Sequence, residues 1–207
     1  MTEKLDIDSL KAMFAAALAA VTTIKDDLSA LDAATGDGDH GTAICQAITA
    51  VSHTAEQGIH IKQALNDMGF AAMMESCGST STLIGALLLG MSDGVEKEQL
   101  APAEVAAMFS AGLANVRQQT KADVGDKTMM DALIPAVEAL QQHQSEGLQV
   151  MFERAAEAAA AGLASTRDMV AKFGRARNLG DRVIGHLDAG ASSMATIFHA
   201  FSQAVSR

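Results

Sequence analysis

Tryptophan and tyrosine are absent from this 207-residue chain, and phenylalanine alone brings the aromatic share to 3%. Sheets draw on aromatic and β-branched side chains, so the scarcity disfavours strands. Only Pro102 and Pro135 interrupt the backbone, which points to uninterrupted helices. Cys45 and Cys77 stand apart from each other and from any second ligand at metal spacing, and read as small buried hydrophobes in a reducing compartment. Positive charge is in deficit, with 15 Lys and Arg against 25 Asp and Glu and a formal net charge of −10. A phosphate-backbone partner would need a basic stripe, so nucleic acid is excluded as a partner. Long apolar runs are missing too: the longest, Leu83 to Met91, is too short to span a bilayer. Residues Met1 to Leu10 lack the basic flank and apolar core of a signal peptide. The expectation is a cytoplasmic protein with no membrane partner.

What the chain does have is Ala, Leu and Met within a 49% hydrophobic composition. These side chains lose little on entering a helix. Leu10, Met13, Phe14, Ala17, Leu18, Val21, Ile24, Leu28 and Leu31 recur in steps of three and four, predicting one long helix capped by Asp6 or Asp8. Similar patterns cover about 42–57, 60–76, 80–92, 102–119, 128–144, 148–172 and 189–205. The expected fold is all-α, about eight helices and no strand, with residues 1–207 as one domain. Pro102 suits the first turn of its helix, whereas Pro135 should kink or bound the helix around it. The Ala-rich stretch Ala155 to Ala164 reads as close helix packing. Met68, Met73, Met74, Met129 and Met130 read as core, with Met129 close enough to the neighbouring turn to line a base pocket.

Four connections break the helical pattern with Gly and polar residues: Thr35 to Gly41, Cys77 to Thr82, Lys121 to Thr128 and Gly174 to Ala191. They are the first, third, fifth and seventh. In an up-and-down antiparallel bundle, odd connections share one end, so the unusual chemistry should gather at one pole.

In the first connection, Asp37 and Asp39 flank a Gly, and Asp32 lies five residues upstream. Three carboxylates on a tight turn offer hard oxygen ligands to Mg²⁺, and the spacing lacks the later Glu of a calcium EF-hand. The same residues also read as a plain polar turn with a cap for the next helix. Gly78 to Thr82 precede an apolar helix and offer N–H groups and hydroxyls to an anion, or simply a cap. Neither a Walker-type loop nor a Rossmann glycine fingerprint is present, so any nucleotide must be held by a helical fold. In the last connection Arg175, Arg177 and Arg182 lie among Asp181, His186 and Asp188, as phosphate-binding donors or as a surface ion-pair network. His40 and His186 are candidate bases, though lone histidines are more often structural.

Taken together, Gly-Asp-Gly-Asp-His-Gly from Gly36, Gly-Asp-Lys-Thr-Met-x-Asp-Ala-Leu from Gly125, and Gly-Arg-Ala-x-x-Leu-Gly-x-Arg-x-Ile-Gly-His-x-Asp-x-Gly-Ala from Gly174 resemble the nucleotide-binding L subunit of dihydroxyacetone kinase, the DAK2-domain family. The resemblance implies an antiparallel eight-helix barrel with the nucleotide at one end. It implies that Asp32, Asp37 and Asp39 bind two Mg²⁺ ions. It further implies that His40, Gly41, Thr42, Ser79, Thr80, Met129, Arg175, Asp188 and Gly190 contact ADP or ATP, Arg175 as a phosphate clamp. In this family a K-type subunit holds the hydroxyketone, and in some members a phosphotransferase-system protein rephosphorylates the bound ADP.

The departures from the family pattern fall near this site. Cys77 to Thr82 replace Gly-Gly-Ala-Ser-Gly-Pro, Arg177 replaces Ser, Asn178 replaces Tyr, Asp181 replaces Glu and Ala189 replaces Pro. A related ketose such as erythrulose is therefore an open acceptor. The competing readings are a non-catalytic nucleotide-sensing or regulatory protein of the same fold, and a metal-dependent hydrolase.

Overall fold

The structure is a computed structural model and describes residues 4–75 and 78–206. Among the described residues nine α-helices follow in order: α1 (Ile7–Thr23), α2 (Lys25–Thr35), α3 (His40–Gln57), α4 (Ile61–Glu75), α5 (Ser79–Asp93), α6 (Pro102–Gln119), α7 (Met130–Gln142), α8 (Leu148–Ser165) and α9 (Ala189–Val205). Among the described residues there is no strand, and the one extended pairing is an antiparallel bridge between Leu5 and Leu100. The fold is all-α and single-domain. Helix α1 packs on α3, each helix from α3 to α9 packs on the next, and α9 returns to α1, which closes a ring of eight. Helix α2 lies outside the ring, against α3 and α9.

The ring closes on phenylalanine. Phe14 meets Phe201 edge-on at 5.2 Å, Phe109 meets Phe152 at 5.8 Å, and Phe198 meets Phe201 at 6.0 Å between centroids. Edge-to-face pairs add to the roughly 1.5–3 kcal/mol gained by burying each ring. An internal void of only about 20 Å³ remains among Phe14, Ile84, Leu88, Phe109 and Phe198, so the barrel interior is packed.

The expected first helix is in two pieces. It starts at the Asp6 cap, whose carboxylate accepts the Ser9 N–H at 2.9 Å, and breaks at Ile24 with a bend of 61°. The break follows a run of Val21, Thr22, Thr23 and Ile24, whose β-branched side chains weaken a helix. Asp26 and Asp27 then favour a new N-terminus. The helix expected to reach residue 172 ends at Ser165, where the Ser165 and Thr166 hydroxyls bond the Gly162 and Leu163 carbonyls and compete with the helical ladder.

Pro102 opens α6 as expected, but Pro135 neither bounds nor interrupts α7. Proline leaves the Asp131 carbonyl without its helical donor. Against that carbonyl lies Gly162 of α8, where an added Cβ would meet the oxygen in severe overlap. Met68 and Met130 are core, whereas Met74 is 85% exposed because it follows the outer face of α4 with Phe70. Cys45 is half-buried, and burial pushes its thiol pKa up. Cys77 and its neighbour Ser76 lie outside the described residues. No single helix among the described residues is long and apolar enough to cross a membrane.

Candidate functional site

Helices α3, α5, α7 and α9 begin at the same pole, as the parity of the connections requires. His40, opening α3, places Nε2 at 3.1 Å from Ser193 Oγ of α9 and Nδ1 at 3.3 Å from Thr80 Oγ1 of α5. The Ser193 hydroxyl donates to the Gly190 carbonyl, so it accepts from His40 and fixes the Nε2–H tautomer. Burial lowers the His40 pKa, only partly offset by the nearby Asp32 charge, which keeps the ring neutral near pH 7. Gly190 of α9 abuts Met129, the residue before α7: a Cβ at Gly190 would lie 3.3 Å from the Met129 Cβ. Each helix start carries partial positive charge, so the pole attracts anions, although at α7 the first N–H groups are taken by Thr128 and Met129.

Facing these helix starts is the acidic turn. Asp32, Asp37 and Asp39 each bring one carboxylate oxygen within 4.8 Å of the others. Asp32, on the last turn of α2, accepts the His40 N–H at 3.3 Å, which ties the acidic cluster to the α3 start. Two glycines make room. Gly38 has φ of 79°, the left-handed region, and a Cβ at Gly36 would lie 2.5 Å from Asp32 Oδ1. The half-buried Asp32 and exposed Asp37 and Asp39 form an all-oxygen, hard donor set of the type that fits Mg²⁺.

The α8–α9 connection supplies the opposite charge. Arg175 forms an ion pair with Asp37 and lies 3.9 Å from Asp39. It thus reaches the acidic turn instead of joining a local network with Asp181 and Asp188. Asp188 caps α9, its Oδ1 accepting the Ala191 N–H at 2.7 Å. Burial raises the Asp188 pKa to about 6, and the Ala191 bond and Lys127 charge oppose this only in part.

The α6–α7 turn is held from within. The fully buried Asp131 carboxylate accepts the Gly125 N–H at 2.7 Å and the Thr128 N–H at 2.8 Å. Lys127, with φ of 59°, is also buried and donates from Nζ to the Thr166 and His186 carbonyls. Sequence reasoning missed Lys127 and Asp131 as site builders because it placed Lys127 in a polar connection and Asp131 in the helix over 128–144, and the burial of either charge is not legible in the local pattern. It missed Ser193 because nothing local links it to His40, its partner at the far end of the chain.

The residues expected at the site divide into four groups. His40, Thr80, Asp32, Asp37, Asp39 and Arg175 converge through the contacts above, and Met129, Asp188 and Gly190 lie at the adjoining α7 and α9 starts. Ser79 is exposed at the start of α5. Gly41 is buried against α2, where a Cβ would overlap the Lys25 carbonyl at 2.0 Å, and Thr42 faces a groove of about 290 Å³ with Lys25, Cys45, His53 and Glu75.

Fold and site define an all-α domain that sets a carboxylate trio and four helix starts at one pole. The DAK2 domain profile matches residues 34–203, and the chain belongs to that family. It is 34% identical over 178 residues to the PEP-dependent dihydroxyacetone kinase 1, ADP-binding subunit DhaL of Listeria innocua, covering 85% of each chain. It is 33% identical to the Escherichia coli PEP-dependent dihydroxyacetone kinase, ADP-binding subunit DhaL, covering 84% of this chain and 85% of that one. Against the D-erythrulose kinase of Mycolicibacterium smegmatis it is 34% identical, over 88% of this chain but 33% of the relative. The fold matches the crystal structure of the dihydroxyacetone kinase from C. freundii in complex with AMP-PNP and Mg²⁺, with a TM-score of 0.73, 23% identity, and coverage of 93% of this chain and 33% of that one.

Proposed function

We propose that this chain, residues 1–207, is the Mg-nucleotide-binding subunit of a dihydroxyacetone-type kinase, with ADP or ATP seated at the pole where α3, α5, α7 and α9 begin. The observation that carries the reading is the meeting there of Asp32, Asp37 and Asp39 with the helix starts and Arg175. Phosphoryl transfer needs alignment and charge stabilisation more than a protein nucleophile. Asp32, Asp37 and Asp39 would hold two Mg²⁺ ions, whose charge offsets that of the phosphate oxygens. Met129 and Gly190 flank the base, the Thr80 region and the start of α3 receive phosphate oxygens, and Arg175 clamps a phosphate not being transferred. The neutral His40 ring keeps Thr80 and Ser193 in place and brings no competing positive charge.

The acceptor, dihydroxyacetone or a related ketose or tetrose, sits on a separate K-type subunit. The coverage of the relatives supports this division: the chain spans most of the ADP-binding subunits but about a third of the D-erythrulose kinase. A phosphotransferase-system protein is the donor that recharges bound ADP, in keeping with the PEP-dependent relatives.

The test is binding and turnover together. Mg-ADP at a hundredfold excess over Kd should stabilise the fold by about 2.7 kcal/mol, with ADP or Mg²⁺ alone doing much less. The Asp37→Asn, Asp39→Asn double variant should lose this shift and keep its helical circular dichroism. Retained binding in that variant would overturn the metal assignment. Wild-type binding without phosphorylation of any ketose, even with a K-type subunit supplied, would point instead to nucleotide sensing.

A further inference from the structure

We propose that Lys127 is a positioning residue that clasps the neck of the α8–α9 connection and so carries Arg175 to the acidic turn. Between Ser165 and Ala189 the chain leaves the barrel and returns. A short 3-10 turn at Thr166–Asp168 leads out, 3-10 turns over Ala176–Val183 form the far part, and Gly174, Gly180 and Gly185 take left-handed φ values of 65°, 56° and 95°. The two limbs meet at a neck where the Gly185 N–H donates to the Arg167 carbonyl at 2.8 Å. Beyond the neck project Arg175, Arg177 and Arg182.

Lys127 Nζ sits across this neck. It donates to the Thr166 carbonyl on the outgoing limb and to the His186 carbonyl on the returning limb, each at 2.5 Å. The Thr166 hydroxyl accepts the Asp188 N–H at 3.0 Å, so the clasp continues into the α9 cap. Lys172 adds two further ties along the outgoing limb, both to Asp126 of the same α6–α7 turn: Nζ to the carboxylate at 2.6 Å and the backbone N–H to the carbonyl at 3.2 Å.

A buried lysine costs desolvation, and burial does lower the Lys127 pKa, against the pull of Asp188, Asp131 and Asp168. Its backbone is also left-handed, at φ of 59°, where a side chain other than Gly is disfavoured. A structure that retains both costs at one position uses the ammonium, and its two acceptors belong to the two limbs of one loop.

The proposal rests on the nucleotide-site reading for its functional part and on geometry alone for the clasp, so its test has two arms. In the nucleotide-free protein, Lys127→Met should speed amide hydrogen exchange selectively over residues 174–184, with α3, α5 and α6 unchanged. Unchanged exchange there would overturn the clasp, whether or not the protein binds nucleotide. In the second arm, isothermal titration with Mg-ADP compares Lys127→Met, Arg175→Gln and the double variant. Each single change should weaken binding by about tenfold or more, and the double variant should be no weaker than Arg175→Gln by more than about twofold, because Lys127 acts through Arg175. Multiplying losses, or a Lys127→Met that only lowers the melting temperature, would sink the positioning role. Should Lys127→Met fail to fold, Lys127→Gly removes the ammonium, suits the left-handed backbone and should give the same pattern in both arms. Wild-type protein that bound no Mg-ADP would defeat the nucleotide reading and leave the exchange arm to decide the clasp.

Discussion

The functional pole is built in two unlike halves. Around α7 and α8 the polar groups are buried and fully bonded: Asp131 holds two amides, Lys127 two carbonyls, and Gly162 lets the backbones touch. Around the α2–α3 turn the charged groups are exposed, and Asp37, Asp39 and Arg175 meet in solvent. The difference separates two tasks. Buried, saturated groups hold a framework because breaking one leaves an unpaired partner in low dielectric, whereas exposed charges exchange partners at little cost. A ligand's phosphates and cations can therefore rearrange the acidic half without unfolding the other.

The sharpest attack on the framework half is Gly162→Ala. Its methyl would overlap the Asp131 carbonyl, and overpacking of backbone on backbone should cost about 3 kcal/mol or more, read as a fall in denaturant midpoint. A near-neutral result would mean that α7 and α8 can slide apart. Asp131→Ala comes next, stranding the Gly125 and Thr128 N–H groups for about 2–3 kcal/mol, with Asp131→Asn costing less because an amide oxygen remains.

The pH response probes the boundary between the halves. Asp188 has a folded pKa raised to about 6 from 3.8, so the fold binds the extra proton and this group's contribution to stability falls as pH rises from about 4 to 6. Asp188→Asn keeps a capping oxygen and removes that loss. The variant should gain about 1–2 kcal/mol relative to wild type between pH 4.5 and 7.5, measured by urea unfolding at each pH. His40 runs the other way: its lowered pKa means stability is lost as pH falls below 6.5, so it partly masks Asp188 in the wild type. The smallest effect should be Met74→Gln, within about 0.5 kcal/mol, since that side chain is 85% exposed.

Much of this was open to reading from the chain. Apolar spacing gave the helices, and the parity of the Gly-rich connections placed the aspartates, Thr80, Met129 and Arg175 at one end. What stayed hidden was decided by long-range packing. The break at Ile24 depends on β-branched residues whose apolar spacing continues unbroken through it, so periodicity passed over the bend. Pro135 was tolerated because a glycine on another helix accommodates the carbonyl it frees, a compensation no local pattern shows. Lys127 read only as part of a polar connection and Asp131 only as part of the helix after it, since burial of a charge depends on how the rest of the chain packs around it. The close approach of Gly41 to the start of α2 was equally hidden, since a Cβ there would meet the carbonyl of Lys25, a residue on another helix.

Asp32, Asp37 and Asp39 come from one short stretch of chain, whereas Arg175 reaches them from the α8–α9 connection, far along the sequence. Loop closure over so long a separation is slow compared with forming a turn. During folding the three negative charges are therefore drawn together well before their cationic neighbour arrives, and mobile ions must screen them meanwhile. Refolding in stopped flow should accelerate with added salt, and more steeply in the wild type than in an Asp37→Asn, Asp39→Asn protein that has little repulsion to screen.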